Sequence, residues 1–351
     1  MTLEPNSDIS VSLRSIYLRG DNIMDKIKIG IIGYGNLGKS VEHGLRQNDD
    51  MELVGIFTRR EAKSIKSLTG ATVYHIDHAK NMVGKIDVMV LCGGSMTDIP
   101  EQGPFFAEMF NTVDGYDTHA KIPDYYDAVN VKSLKGRKTS IISSGWDPGM
   151  FSINRLYAEA ILPNGNTSTF WGKGISQGHS DAIRRVNGVK NGKQYTIPVE
   201  NAIEAAKRGE ALDLSPREKH RRVCYVVAED GADKSKIENE IKNMPNYFAD
   251  YNTEVYFISE DELEKNHRGL PHGGLVIRHG VTGLDNEKNH TIEYKIDLES
   301  NPDFTANVII AFARAAYRLN KEGSYGAKTV VDIPPAYLSR LSGEEIRKLI
   351  I

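Results

Sequence analysis

Residues Lys26–Gly38 read "KIKIGIIGYGNLG", and what they form decides the fold. The first eight are dense in isoleucine and closed by glycine, the pattern of a strand buried on both faces. Gly33-Tyr34-Gly35-Asn36-Leu37-Gly38 then matches GxGxxG. From Asn36 to Gln47 the apolar residues Leu37, Val41 and Leu45 recur at helical spacing, and a second apolar run, Glu52–Thr58, follows about 20 residues after the glycines. Strand, glycine turn, helix and strand are the opening of a dinucleotide-binding unit. There Gly33 makes the tight turn, Gly35 lets the backbone approach a pyrophosphate, and Gly38 lets the helix pack on the strand. Tyr34, Asn36 and Leu37 complete the expected cofactor loop, and the helix N-terminus offers unpaired N–H groups to phosphate.

Further strands are expected at Ala71–Ile76, Ile86–Cys92, Phe110–Val113 and Thr139–Ser143. Their alternation with helical stretches predicts right-handed βαβ units and a parallel sheet, an α/β fold of the Rossmann type. After "SSGWDPGMFS" (143–152) the texture changes. Strand-like runs "TFWGKGI", "RRVCYVVAE", "TEVYFIS", "GGLVIRHG" and "HTIEYKIDL" alternate with only two or three helical stretches, which predicts a mixed, largely antiparallel α+β domain. Phe304, Val308, Phe312, Ala316 and Leu319 form a late helical stripe with Gly323 as its stop. That helix is expected to return to the nucleotide domain. The division expected is 25–147 for dinucleotide binding, completed by about 302–351, with 148–301 as the second unit. Residues 1–24 are polar and lack a continuous apolar segment, so they read as a disordered or non-native extension rather than a signal peptide, with Met24 as an alternative start.

Composition bounds the rest. Of 351 residues, 40% are hydrophobic and 26% charged, ordinary for a globular protein, and the formal charge of −3 supplies no field for nucleic acid or anionic lipid. No apolar run approaches the ~20 residues of a membrane span. The ten histidines and two cysteines show no metal-ligand spacing, so no metal is expected. Cys92 and Cys224 lie in apolar runs and read as buried free thiols of a cytoplasmic protein, in which the acceptor pattern Asn166-Thr167-Ser168 carries no glycan.

"ELVGIFTRRE" (52–61) ends strand two, where a carboxylate would ordinarily bind a ribose hydroxyl. Thr58, Arg59 and Arg60 stand there instead. Two guanidinium forks and a hydroxyl suit a 2′-phosphate, so NADP is the expected cofactor. The competing reading is a solvated basic loop paired with Glu61.

Two carboxylates fall near consecutive strand ends, Asp117 in "TVDGYDTH" and Asp147 in "GWDPG", where a substrate would meet a nicotinamide. The series "GYGNLGKSVE", "GIFTRR", "TDIPEQGP", "TVDGYDTH", "GWDPGMFSINR", "FWGKGISQGHSDAIRR", "MPNYF", "GLPHGGLVI" and "NPDFTA" occurs in that order. From about Lys26 into the last long helix the chain resembles the meso-diaminopimelate dehydrogenases. The resemblance implies a homodimer, with a Rossmann-type domain and a substrate and dimerisation region. It implies reversible, NADP-dependent oxidative deamination of the D-centre of meso-2,6-diaminopimelate, releasing ammonia and L-2-amino-6-oxopimelate, which cyclises to tetrahydrodipicolinate. The reverse direction serves diaminopimelate and lysine biosynthesis.

By the same resemblance, Asp117 and Asp147 surround the reacting amine beside Trp146 and Trp171, with Met150 on the pocket wall. Thr196, Arg222, His272 and Asn301 bind the distal L-centre. Either carboxylate is a candidate to orient the ammonium and relay its proton. The residues themselves leave blander readings open. Asn301 before Pro302 fits an N-cap, His272 before two glycines fits a turn, Trp171 fits a core position, and Met150 and Phe151 fit packing. Strand alternation turns only one of Arg221 and Arg222 inward. Two other functions compete: a dihydrodipicolinate-reductase-like imine reductase, and an NADP-binding sensor without turnover.

Overall fold

The computed structural model describes residues 26–210 and 213–351, so the expectation for residues 1–24 lies outside it. Isoleucine-rich Ile27–Ile32 forms β1, followed by β2 (Met51–Thr58), β3 (Val73–His75), β4 (Val88–Leu91), β5 (Asn111–Asp114) and β6 (Thr139–Ile141). With the late strand β14 (Gly326–Lys328) they make a seven-stranded sheet of order β14-β6-β5-β4-β1-β2-β3. Every pairing in it is parallel. A parallel sheet is covered on both faces, and accordingly every residue of β4, β5 and β6 is buried. The chain moves outward from β1 to β3 on one side and then restarts at β4 on the other. The carboxyl ends of β1 and β4 therefore part, and a crevice opens between their loops.

The helix Asn36–Leu45 lies against the long helix Asn301–Lys321. Their contact is tight: a Cβ on Gly44 would stand 2.8 Å from Ile310 Cδ1. Arg314, buried in the long helix, makes a bidentate pair with Asp50 (2.6 and 2.9 Å) and donates to the Leu338 carbonyl at 2.8 Å. The C-terminal segment thus adds a helix and an edge strand to the parallel sheet.

The region between is built on two smaller sheets. One has the order β11-β10-β9-β8, from β8 (Gly174–Ile175), β9 (Val189–Pro198), β10 (His220–Ala228) and β11 (Asn252–Phe257). The other is β13-β12-β7, from β7 (Gly165–Trp171), β12 (His272–Thr282) and β13 (Lys288–Leu298). Only the β10–β11 pairing is parallel.

Two features depart from the sequence reading. Among the described residues six helices, not two or three, lie between Met150 and Asn266. Most are short and start on polar caps such as Ser176, Asp233 and Ser259, so capping rather than a long apolar stripe marks them. Strand β9, "VKNGKQYTIP", escaped notice because its buried residues include Gly192, Gln194 and Thr196, which no apolar pattern reveals. No helix among the described residues is long and apolar enough to cross a membrane.

Candidate active site

The glycine loop after β1 is shaped for close approach. Gly33 sits at φ +90°, in the left-handed region, and a Cβ on Gly38 would lie 2.2 Å from the Gly33 carbonyl oxygen. A Cβ on Gly35 would meet nothing within 4 Å, so open space stands over the loop at the helix N-terminus. Tyr34 turns its ring the other way. Its hydroxyl donates to Glu42 and accepts from the Leu68 N–H at 3.0 Å. Burial and the Glu42 carboxylate push that phenol up to about 12. Only the backbone of Tyr34 is therefore offered to a ligand.

A crevice of about 340 Å³ is lined by Gly33, Gly35, Thr58, Arg59, Arg60, Asp98 and Gln102. Thr58 is buried, and its hydroxyl accepts the Arg60 N–H at 3.2 Å. Arg59 pairs with Asp98, not with Glu61, and Arg60 donates to the Tyr34 carbonyl at 2.5 Å. Gln102, which lines the crevice, has a buried Oε1 without a partner among the described residues. Open backbone at a helix N-terminus, two guanidinium groups and an unpaired acceptor fit a phosphorylated dinucleotide.

The adjoining cleft has a volume of about 780 Å³ and joins the two regions. Asp117, Trp146, Asp147, Trp171, Thr196, Arg222, His272 and Asn301 all line it, together with Asn36 and Leu37 of the nucleotide loop. Met150 does not. It starts the helix Met150–Ile161 and packs into the core of the parallel sheet, because the helix turns away from the cleft after Gly149. That turn needs glycine: Gly149 has φ +135°, and a Cβ there would stand 1.7 Å from the Gly145 carbonyl oxygen.

The two acids differ sharply. Asp117 is exposed, its N–H held by Ser95 Oγ at 3.1 Å, and its carboxylate has no partner among the described residues. The Asp147 side chain is 1% exposed and fully engaged: Arg155 Nη2 lies 2.7 Å from Oδ1, and Trp171 Nε1 donates to Oδ2 at 2.6 Å. Trp171 is 38% exposed and stacks on His220, which is a cleft-facing role and not a core one.

Of the residues expected at the distal end, Thr196, Arg222 and His272 come from the antiparallel sheets and Asn301 from the start of the long helix. Arg222 and Thr196 are directly opposed in the β9–β10 ladder, and Arg222 Nη1 donates to Thr196 Oγ1. The guanidinium lies 3.9 Å over the Tyr251 ring, while its Nε is buried without a hydrogen-bond partner among the described residues. Arg221 faces outward and pairs with Glu254 at 2.9 Å, so strand alternation selects Arg222. Asn301 is not the N-cap. Ser300 caps the long helix, and Asn301 Oδ1 accepts from Trp146 Nε1 at 2.9 Å and Thr305 Oγ1 at 3.1 Å.

The histidines around Arg222 are held neutral. Burial and the Arg222 charge push His220 down to about 4, burial and the same charge take His179 to about 4, and burial lowers His272. His272 Nδ1 sits against the Gly273 backbone, 2.8 Å from its nitrogen and 3.1 Å from its carbonyl oxygen. Arg222 thus stands as a cation among neutral neighbours.

Sequence reasoning missed Arg155, His220 and Tyr251. Arg155 closes the stretch "GWDPGMFSINR", eight residues after Asp147. Its place in the second turn of the helix that follows Gly149 was the available signal. His220 shares a strand face with Arg222 by two-residue alternation. Tyr251, in a loop, gave none.

A dinucleotide crevice opening onto a polar cleft with both acids and a buried cation defines a nicotinamide-dependent oxidoreductase. Residues 145–300 match the diaminopimelic acid dehydrogenase C-terminal domain, and residues 28–95 match the coenzyme F420-dependent NADP oxidoreductase model. A meso-diaminopimelate D-dehydrogenase of Acetivibrio thermocellus is 63% identical over 333 residues, 95% of this chain and 100% of that one. A C. glutamicum DAP dehydrogenase solved in complex with DAP superposes with a TM-score of 0.86 at 47% identity, covering 93% of this chain and all of the other. An engineered D-amino acid dehydrogenase bound to NADP+ gives 0.82 at 45% identity over the same shares. The chain belongs to the meso-diaminopimelate D-dehydrogenase family.

Proposed function

We infer that the protein catalyses the reversible, NADP-dependent oxidative deamination of the D-centre of meso-2,6-diaminopimelate, yielding ammonia and L-2-amino-6-oxopimelate. In the other direction it makes meso-diaminopimelate for lysine and cell-wall synthesis. The observation that carries this reading is the cleft itself: two carboxylates from the parallel sheet and one buried guanidinium from the antiparallel sheet line a single space. A substrate with two ammonium and two carboxylate groups needs both kinds of partner.

NADP supplies the hydride acceptor, held by the glycine loop with Thr58, Arg59 and Arg60 at its 2′-phosphate. Trp146, Trp171 and Asp147 hold the reacting D-centre. Arg222, Thr196, His272 and Asn301 take the distal L-centre, Arg222 on its carboxylate. The substrate ammonium must lose a proton before its carbon can be oxidised. Asp147 is already engaged by Arg155 and Trp171, whereas the Asp117 carboxylate has no partner among the described residues. Asp117 is therefore the proton acceptor in this reading, with Asp147 orienting the amine.

The chain divides into a nucleotide-binding unit, residues 25–147 with 302–351, and a substrate and dimerisation unit, residues 148–301. A homodimer is supported by Leu156, Tyr157 and Ile161, exposed apolar residues of one helix. The buried free thiols Cys92 and Cys224 suit a cytoplasmic setting.

The test is a substrate panel read as NADPH absorbance. Meso-diaminopimelate should reduce NADP, LL-diaminopimelate should not, and NADPH oxidation with tetrahydrodipicolinate should require ammonia. Reduction of that ring at the same rate without ammonia would overturn the reading in favour of an imine reductase.

A further inference from the structure

Arg155 touches the catalytic machinery without lining the cleft. It projects from the second turn of the helix Met150–Ile161, which begins directly after the Gly149 turn that follows Asp147. Its guanidinium meets Asp147 at both oxygens (2.7 Å from Nη2 to Oδ1, 3.4 Å from Nη1 to Oδ2), Ser152 Oγ at 3.3 Å and Thr169 Oγ1 at 3.4 Å. A carboxylate that is 1% exposed needs a compensating cation, and Arg155 is its ion-pair partner among the described residues. Asp147 in turn accepts the Trp171 indole N–H at 2.6 Å. The Trp171 ring also stacks on His220, with centroids 5.4 Å apart.

We propose that Arg155 is a positioning residue for the reaction: through its paired hold on Asp147 it fixes that carboxylate and the Trp171 indole in the one orientation that receives the amino end of the substrate. The proposal rests on the function inferred above and adds to it a residue that does not reach the substrate. Thr169 lies on β7, the strand that carries Trp171, so one guanidinium links the helix, the acid and the strand bearing the indole. The pairing also leaves Asp147 and Arg155 jointly neutral. The uncompensated negative charge of this corner is then the carboxylate of Asp117.

The molecule provides its own reporter. It has two tryptophans, and both indoles donate to residues of this cleft, Trp146 to Asn301 and Trp171 to Asp147. The experiment compares the full-length protein with Arg155→Met, Arg155→Lys, Asp147→Asn and the double variant Asp147→Asn/Arg155→Met. Arg155→Met should lower kcat/KM for meso-diaminopimelate by about 100-fold, with KM for NADP changed less than about two-fold. Arg155→Lys, which keeps the charge but not the fork, should recover about ten-fold of that loss. The double variant should be no worse than Asp147→Asn alone, since a residue acting only through Asp147 has nothing left to position. Trp emission should shift to the red and become more open to acrylamide quenching in Arg155→Met. Losses that add in the double variant, or an unchanged kcat/KM in Arg155→Met, overturn the proposal. Should Arg155→Met fail to fold, Arg155→Lys and its double variant with Asp147→Asn carry the same cycle. If the parent protein does not turn over meso-diaminopimelate, the functional reading fails. The fluorescence of Arg155→Lys and Arg155→Met then decides the positioning role alone, and unchanged emission and quenching overturn it.

Discussion

Replacing Arg222 by glutamine removes the one cation among the four cleft residues proposed for the distal end of the substrate. Its guanidinium is buried, bonded to Thr196, stacked 3.9 Å over Tyr251, and left with an unpartnered Nε. Burial lowers its pKa from the usual range, a sign that the charge is under-compensated before a ligand arrives. A substrate carboxylate would supply the missing partner. Hydrogen bonds between charged groups contribute about 1.5–3 kcal/mol each, and glutamine retains one weaker donor. A net loss of about 3 kcal/mol is therefore expected, or roughly 150-fold in kcat/KM. Stability should move little, because removing a buried cation with an unsatisfied nitrogen relieves a desolvation cost as it deletes contacts. The assay compares initial rates of NADPH formation with meso-diaminopimelate and with D-2-aminoheptanoate, which keeps the D-centre but lacks the distal amino acid head. Arg222→Gln should lose activity on the first and change at most a few-fold on the second. An equal loss on both, or none on the first, would refute the assignment of Arg222 to the distal carboxylate.

Other outcomes follow from the same site. The double variant Arg59→Ala/Arg60→Ala should weaken kcat/KM for NADP by about ten-fold or more while sparing NAD; unchanged NADP kinetics would remove the phosphate clamp. Asp117→Asn should lower kcat by about 100-fold, whereas Asp147→Asn should act more on KM for meso-diaminopimelate, and the reverse pattern in steady-state kinetics would exchange the two roles. His179 and His220 are lowered to about 4 in the folded chain against an ordinary value near 6.5, so the unfolded chain binds more protons as pH falls through that window. Stability is then intact above about 6.5 and falls towards 4, by roughly 2 kcal/mol per histidine between pH 7 and 5. Urea midpoints at the two pH values measure it, and equal midpoints would contradict the burial argument.

The nucleotide half was the more legible. Ile27–Ile32, the glycine loop and Glu52–Thr58 carry local signals, since a buried parallel strand must be apolar along its length and a phosphate loop must lack side chains. The second half was read less completely. β9 contributes Thr196 yet buries Gln194 and Gly192, and the short helices depend on caps. Individual roles were less legible still. Residue type and motif nominated Arg222 with Arg221 as its rival, Asn301 as a distal ligand with an N-cap as the alternative, and Met150 as a pocket wall. Only the pairing of β10 with β9, the cap at Ser300 and the path of the chain after Gly149 separated them.

What the sequence determined alone was the kind of chemistry: a dinucleotide loop, a phosphate-seeking pair of arginines and a supply of acids at strand ends. Those signals are short-range, each contained within a few residues of its own element. Tertiary structure decided which charges meet. Asp147 is satisfied by Arg155 eight residues on and by Trp171 on another sheet, while Asp117 has no partner among the described residues beside the same cleft. The two acids look alike as letters. They differ because hydrogen bonding and burial are set by neighbours in space, and the packing of two sheets and a helix around Asp147 has no counterpart at Asp117.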